Sequence, residues 1–373
     1  MALTQIPGTS TGRRPDGAAP PVTSTNAVVT VAPRIEARLS TLLAEERRRW
    51  ALIDPDLDPP LEALERAVLG GGKRLRPTFC YWGFVAAGGD PDTAAGDQME
   101  RVGAAFELLH AFALVHDDVM DGAPLRRGRP TTHIDFTARH AEGGWRGESR
   151  RFGEAVAILV GDLAHSYAES LVRGLPGDAL AIWNEVQIEL MMGQYLDVLR
   201  TAAGRATTEQ ADRIARLKSG RYTVERPLQL GAAIAGATPE VMAALSAYGL
   251  PLGIAFQMRD DVLGAFGDPA VTGKPVGDDL REGKPTPMLG IALERADAAQ
   301  RRILDRAGDP DLDDIEVGRI QDVLIDTGAL AETQTRIVEL TEAAVAAVYH
   351  GPFSRAVAHA LVELAEFIAG REV

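Results

Sequence analysis

The chain has 373 residues, with 39 basic and 53 acidic side chains and a net charge of −14. That balance excludes nucleic-acid binding driven by a basic surface, and allows an anionic substrate only where cations are concentrated locally. The single cysteine, Cys80, excludes an intrachain disulfide and fits a reducing cytoplasm.

Residues 1–33 are rich in Ser, Thr, Pro, Gly and Ala and read as a disordered leader. Arg13-Arg14 is followed by no continuous apolar stretch, so neither a secretory nor a twin-arginine signal is expected. From Arg34 onward, apolar residues recur at three- and four-residue spacing among Ala, Leu, Glu and Arg, which predicts one all-α domain over 34–373. Helices are predicted at 34–51, 58–69, 76–88, 95–121, 153–173, 178–203, 207–234, 238–265, 283–306, 313–347 and 353–370, with breaks at Gly and Pro. The segment 138–152 reads as a mobile loop. Val241 to Met258 is an uncharged run of 18 residues, at the lower edge of membrane-spanning length. Its internal glycines and Pro251, and the Arg259-Asp260-Asp261 that ends it, favour a kinked core helix over a transmembrane segment.

The chemistry concentrates at helix ends. Asp117-Asp118-Val119-Met120-Asp121 closes an apolar helix. Residues four apart on a helix differ by about 40° in direction and about 6 Å in height, so Asp117 and Asp121 share a face. Two such carboxylates repel unless a cation lies between them, and hard oxygen ligands suit Mg²⁺, which takes one or two carboxylates plus phosphate oxygens. Gly122 and then Arg126-Arg127-Gly128 follow. A related arrangement recurs at Gln257-Met258-Arg259-Asp260-Asp261, followed by Thr272-Gly273-Lys274-Pro275, Asp278-Asp279 and Lys284. Two such ends facing each other would hold a diphosphate between metal clusters.

A third cationic stretch is Gly70-Gly71-Gly72-Lys73-Arg74-Leu75-Arg76-Pro77, whose glycines allow backbone to approach an anion. It lacks the spacing of a Walker A loop. His110 lies two turns before Asp117 on nearly the same face. Lys218 sits in a helical region, and Gln194, Asp197 and Gln257 are polar groups on apolar helices that need partners. His116-Asp117 invites comparison with HD-type phosphohydrolases, but that scheme leaves the second aspartate and the Arg-Arg loop unused.

In order along the chain, GGKRLRP, HAFALVHDDVMD, LRRGRPTTH, ILVGDLAHSYA, GQYLD, KSGRYT, FQMRDD and TGKPVGDDLREGK resemble the trans-isoprenyl diphosphate synthases (polyprenyl synthetases). The resemblance runs from Gly71 through Lys284. It implies a helical bundle around a central cavity, a homodimer, and Mg²⁺, with three ions per site. It implies that Lys73, Arg76, His110 and Arg127 hold the diphosphate of isopentenyl diphosphate. Asp117 and Asp121 would bind metal from one side and Asp260 from the other, supported by Asp118 and Asp261. Arg126, Lys218, Thr223, Gln257, Lys274 and Lys284 would surround an allylic diphosphate. The implied reaction is chain elongation: ionisation of the allylic diphosphate, attack by the alkene of isopentenyl diphosphate, and loss of a proton to the released diphosphate.

One departure concerns the second motif, usually DDxxD, which here has Gly264 in place of its last aspartate; Asp268 is the next carboxylate that could substitute. In the family resembled, an aromatic where Phe112 stands, five positions before Asp117, with a small residue such as Ala113 beside it and no two-residue insertion in the first motif, goes with a C20 product; the resemblance therefore implies geranylgeranyl diphosphate, ahead of C15 or C25. A class I terpene cyclase would lack a use for Lys73, Arg76 and His110. A non-catalytic partner subunit would be expected to lose the first aspartate motif, which is complete.

Overall fold

The computed structural model of the chain describes residues 24–204, 206–267, 276–309 and 311–370. Helices carry nearly all of it, as the apolar spacing requires. They are α1 (Ser24–Ala51), α2 (Asp58–Leu69), α3 (Leu75–Ala86), α4 (Ala94–Met120), α5 (Thr132–Glu142), α6 (Ser149–Leu171), α7 (Gly177–Ala202), α8 (Thr208–Ile214), α9 (Arg226–Ile234) and α10 (Pro239–Phe266). They continue with α11 (Asp278–Glu282), α12 (Pro287–Arg295), α13 (Ala298–Leu304), α14 (Asp314–Asp326), α15 (Ala329–His350) and α16 (Arg355–Ala369). A π-helical segment, Ala215–Glu225, joins α8 to α9. Two-residue strands, Leu125–Arg126 and Arg129–Pro130, form a hairpin just after α4.

Several predicted boundaries move, each for a local reason. The leader does not extend to residue 33: α1 starts at Ser24 and passes through Pro33. Val31 and Ile35 are buried in the core, and that burial outweighs the backbone hydrogen bond that the proline removes. Residues 1–23 of the leader lie outside the described residues. The expected loop 138–152 is mostly helix, with α5 ending at Glu142 and α6 beginning at Ser149. The predicted helix 283–306 is divided between α12 and α13, because Asp297 accepts from the backbone of Ala299 and Gln300 and starts a new helix with a capping box. The predicted helix 313–347 breaks at Gly328, whose φ of 72° is left-handed.

The core forms around α4 and α10. Phe106 of α4 meets Trp183 of α7 edge to face, with centroids 5.4 Å apart. α10 is long and apolar enough to cross a membrane by length and composition. Here Leu245, Tyr248, Leu252, Ala255 and Met258 are fully buried inside the protein. The Tyr248 hydroxyl donates to the Leu361 carbonyl at 2.8 Å. Burial of each large apolar side chain of this kind contributes about 1.5–3 kcal/mol.

α3 and α9 approach so closely that only glycine fits at the contact. A Cβ on Gly231 would overlap the Cys80 carbonyl, and one on Gly83 would overlap that of Leu228. Gly231→Ala is therefore expected to lower stability by about 1–3 kcal/mol through overpacking, read as a reduced midpoint in urea unfolding. An unchanged midpoint would show that the two backbones can separate at no cost.

Candidate active site

The two aspartate-bearing helix ends meet across one cavity. α4 begins at Thr93, whose hydroxyl accepts from the Gly96 N–H, and runs 27 residues before Gly122 turns the chain at φ 64°. This places Asp117, Asp118 and Asp121 in its last turns. α10 delivers Gln257, Asp260 and Asp261 in the same way. Asp117, Asp197, Lys218, Gln257, Asp260, Asp261, Asp279 and Lys284 line a cavity of about 550 Å³.

Two lysines occupy the space between the carboxylates. Lys218 Nζ donates to Asp117 Oδ1 at 3.1 Å and to Asp197 Oδ2 at 2.5 Å. Gln194 Nε2 donates to the same Asp117 oxygen at 2.7 Å. Lys284 Nζ lies 3.8 Å from Asp121, 3.4 Å from Asp279 and 2.5 Å from Glu282. Burial works against the charge on both lysines, but the surrounding carboxylates keep both pKa values raised. Asp117 is held below the usual carboxylate range despite its burial, because Lys218 and Lys284 attract its charge. Asp121 is pushed up to about 7, first by burial and then by Asp117. Asp261 is raised well above its ordinary value by burial, with Asp279 and Asp260 adding to it; Gln257 opposes this by donating at 2.7 Å. Asp118 is raised by burial, while Arg126 grips it from Nε at 2.7 Å and Nη2 at 2.6 Å.

A separate cationic group lies beside the first. The hairpin after α4 turns at Arg127 (φ 52°) and Gly128 (φ 72°), the two left-handed positions of a type I′ turn. Arg127 donates to the carbonyls of Gly70 and Gly71 and so ties the hairpin to the glycine-rich stretch. Arg76 stacks over the Tyr222 ring at 4.3 Å and donates to Thr223 at 3.1 Å. Arg76 Nε and His110 Nδ1 are buried with no hydrogen-bond partner among the described residues. Burial, then Arg76, Arg126, Arg127 and Arg74, drive the His110 pKa well below its ordinary value. Buried cationic donors with spare hydrogen-bonding capacity are suited to an anion. Lys73 is exposed, with its ammonium 5.0 Å from the Phe367 ring.

The expected site residues thus converge, with three qualifications. Thr223 is buried beside Arg76, with the His110 group rather than at the Lys284 side. Lys274 and Asp268 lie outside the described residues. Arg74 is not an anion ligand: it is buried and paired with Glu107 and Glu36. Three residues outside the expected set adjoin it: Gln194 bonds Asp117, Asp197 bonds Lys218, and Asp279 lies 3.4 Å from Lys284; the sequence marks the first two only as polar groups on an apolar helix and the third as one of several charges near Lys284.

A second cavity of about 430 Å³ joins the first, sharing Leu114, Asp117, Lys218 and Ser219 with it. Most of its wall is apolar, with Phe112, Ala113, Met120, Leu190, Tyr195 and Val198, while Arg76, His110 and Gln194 also line it. The Phe112 ring lies 4.7 Å from His116 and 5.2 Å from His165, both tilted toward it.

Among the described residues no three metal-binding side chains enclose an ion by themselves. Each helix end instead offers one or two hard oxygen ligands, which suits a divalent cation completing its shell with phosphate oxygens and water.

Residues 59–322 match the polyprenyl synthetase family model. The short chain isoprenyl diphosphate synthase of Methanothermobacter thermautotrophicus is 36% identical over 267 residues, covering 70% of this chain and 75% of its own. The geranylfarnesyl diphosphate synthase of Aeropyrum pernix is 34% identical over 278 residues, covering 72% and 80%. Among solved structures, geranylgeranyl pyrophosphate synthase from Corynebacterium glutamicum, complexed with isoprenyl diphosphate and magnesium, superposes with a TM-score of 0.86. It is 36% identical, over 91% of this chain and 98% of that one. The chain belongs to the polyprenyl synthetase family, the trans-isoprenyl diphosphate synthases, and is a prenyltransferase of chain elongation.

The raised Asp121 sets a pH dependence. Its folded-state pKa of about 7 exceeds the unfolded value of 3.8, so its contribution to stability is present below the unfolded value and lost as pH rises toward 7. A divalent cation competes with that proton and should raise the melting temperature more at pH 8 than at pH 6. In Asp121→Asn the difference between the two pH values should narrow; an identical difference would mean that Asp121 does not meet the cation.

Proposed function

Starting from a prenyl-elongating family member, we propose that this chain condenses isopentenyl diphosphate with allylic diphosphates, using Mg²⁺, to give all-trans geranylgeranyl diphosphate (C20). One observation carries the reading: a polar, carboxylate-lined cavity shares Leu114, Asp117, Lys218 and Ser219 with a largely apolar one that Phe112 and Ala113 line. A molecule with a diphosphate head and a growing hydrocarbon tail fits that division.

Asp117 and Asp121 on one side and Asp260 on the other would hold Mg²⁺, three ions per site in this reading, together with the allylic diphosphate. When bound, Mg²⁺ supplies neutralisation of the charge that develops on the leaving group. Arg126, Lys218, Gln257, Lys274 and Lys284 add their own donors to the same diphosphate. Lys73, Arg76, His110 and Arg127 hold the second diphosphate, that of isopentenyl diphosphate, with Thr223 fixing the Arg76 guanidinium. The allylic C–O bond breaks and its electron pair leaves with diphosphate. The alkene carbons of isopentenyl diphosphate form the new C–C bond, and the released diphosphate takes the proton. Leu114, Leu190 and Met120 exclude water from the cation. A second, separate cationic group for a second diphosphate favours elongation over cyclisation.

A homodimer is part of this reading. Ile158 and Leu159 of α6 and Ile188, Met192, Tyr195 and Leu199 of α7 form an exposed apolar face. Tyr195 also lines the apolar cavity, so a second copy seated there would close it. A cytoplasmic location is also part of this reading; the single cysteine, Cys80, is buried and free.

Purified protein incubated with Mg²⁺, isopentenyl diphosphate and C5, C10 or C15 primers is expected to yield a linear C20 diphosphate. A C15 or C25 product would keep the reaction and reject Phe112 as the floor. Asp117→Ala should abolish synthesis with the fold retained, and full activity in that variant would sink the assignment. Ile188→Glu with Met192→Glu should convert a dimer to a monomer in light scattering; an unchanged mass would place any interface elsewhere.

A further inference from the structure

Glu189 is a buried carboxylate on α7 that lines neither cavity. It stands one turn before Gly193 and two turns before Asp197, so the three share a face. That face lies along the π-helical segment. Asp197 accepts from the Lys218 ammonium, and a Cβ on Gly193 would overlap the Lys218 backbone. Glu189 takes the other end of the segment. It accepts from Arg221 Nη1, and from Arg226 Nε at 2.8 Å and Nη2 at 2.7 Å. Burial opposes the charge on Glu189, but Arg226 and Arg221 hold its pKa below the ordinary value.

The two arginines stand five residues apart. On an α-helix, with 3.6 residues per turn, five residues rotate the chain by about 500°, which leaves the two side chains about 140° apart. Such guanidiniums would depart on nearly opposite sides. A π-helix instead closes its hydrogen bonds five residues apart, and so brings residue i+5 beside residue i. The Arg226 N–H donates to the Arg221 carbonyl and makes that bond. Both guanidiniums therefore emerge on one side and converge on a single carboxylate. Arg226 also donates to Gln229 at 2.8 Å, and Gln229 donates to Ser246 of α10 at 2.6 Å, which anchors the start of α9. Lys218 and Thr223 are likewise five apart: Lys218 enters the cavity and Thr223 meets Arg76.

We propose that Glu189 is a positioning residue of the reaction: by binding Arg221 and Arg226 together it selects π over α pitch, and that pitch delivers the Lys218 ammonium to Asp117 and to the allylic diphosphate. The proposal rests on the reading of Lys218 as a donor to that diphosphate. Without the charge at 189 the two guanidiniums repel each other, the segment relaxes toward α pitch, and Lys218 is turned away from α4.

The test is a double-mutant cycle read by calorimetry: geranyl thiolodiphosphate, whose C–S bond resists ionisation, is titrated into the full chain with Mg²⁺, so that binding is read without turnover. Lys218→Met alone is expected to weaken binding by about tenfold. Glu189→Gln, which keeps the shape and removes the charge, is expected to weaken it by about fivefold or more in the parent, and by less than about twofold in the Lys218→Met background. Arg226→Gln approaches the same contact from its other side with the same expectation, and decides the matter where Glu189→Gln does not fold. A loss of general packing would carry the same factor into both backgrounds; that result overturns the proposal, as does parent-like binding by Glu189→Gln, and in either case the reading of Lys218 stands. If Lys218→Met binds like the parent, that reading falls and the proposal with it.

Discussion

Mutual repulsion of buried carboxylates is the constraint on which the rest of this structure depends. Asp117, Asp121, Asp197, Asp261 and Asp279 face one another around a single cavity, where water screens them poorly. Lys218 and Lys284 are the fixed countercharges that let the arrangement fold at all. Each lysine touches carboxylates from different helices, so each also acts as a cross-brace: Lys218 joins the π-helical segment to α4 and α7, and Lys284 joins the loop after α11 to α4. The residual strain appears as Asp121 and Asp261, whose protons are held far above the usual range. A cation brought in with a diphosphate would relieve that repulsion.

The scaffold serves this placement through irregular backbone where regular helix would fail. The segment that carries Lys218 and Thr223 is π-helical. Pro227 just beyond it has no N–H, which removes a hydrogen bond to the preceding turn. The segment also lies against glycines: a Cβ on Gly193 would overlap the Lys218 backbone, and one on Gly253 would overlap that of Gly220. Wide-pitched backbone and bare glycine surfaces together bring the Lys218 ammonium within reach of α4. The hairpin after α4 does the corresponding work for Arg126 and Arg127, directing one to Asp118 and the other to the glycine-rich stretch.

Much of this was legible in the sequence, because helix periodicity and charge spacing are local. The shared face of Asp117 and Asp121, the repeated helix-end pattern at Asp260-Asp261, and the cationic character of the stretches around Arg76 and Arg127 need no more than residue order. What was not legible involves partners distant in sequence. Arg74 reads like Arg76 in its stretch, yet a left-handed backbone turns it to Glu107. Gln194 and Asp197 could be marked as polar groups in need of partners, but not assigned to Asp117 and Lys218. The start of α1 was hidden by Pro33, since a proline ordinarily ends a helix unless burial of its neighbours compensates.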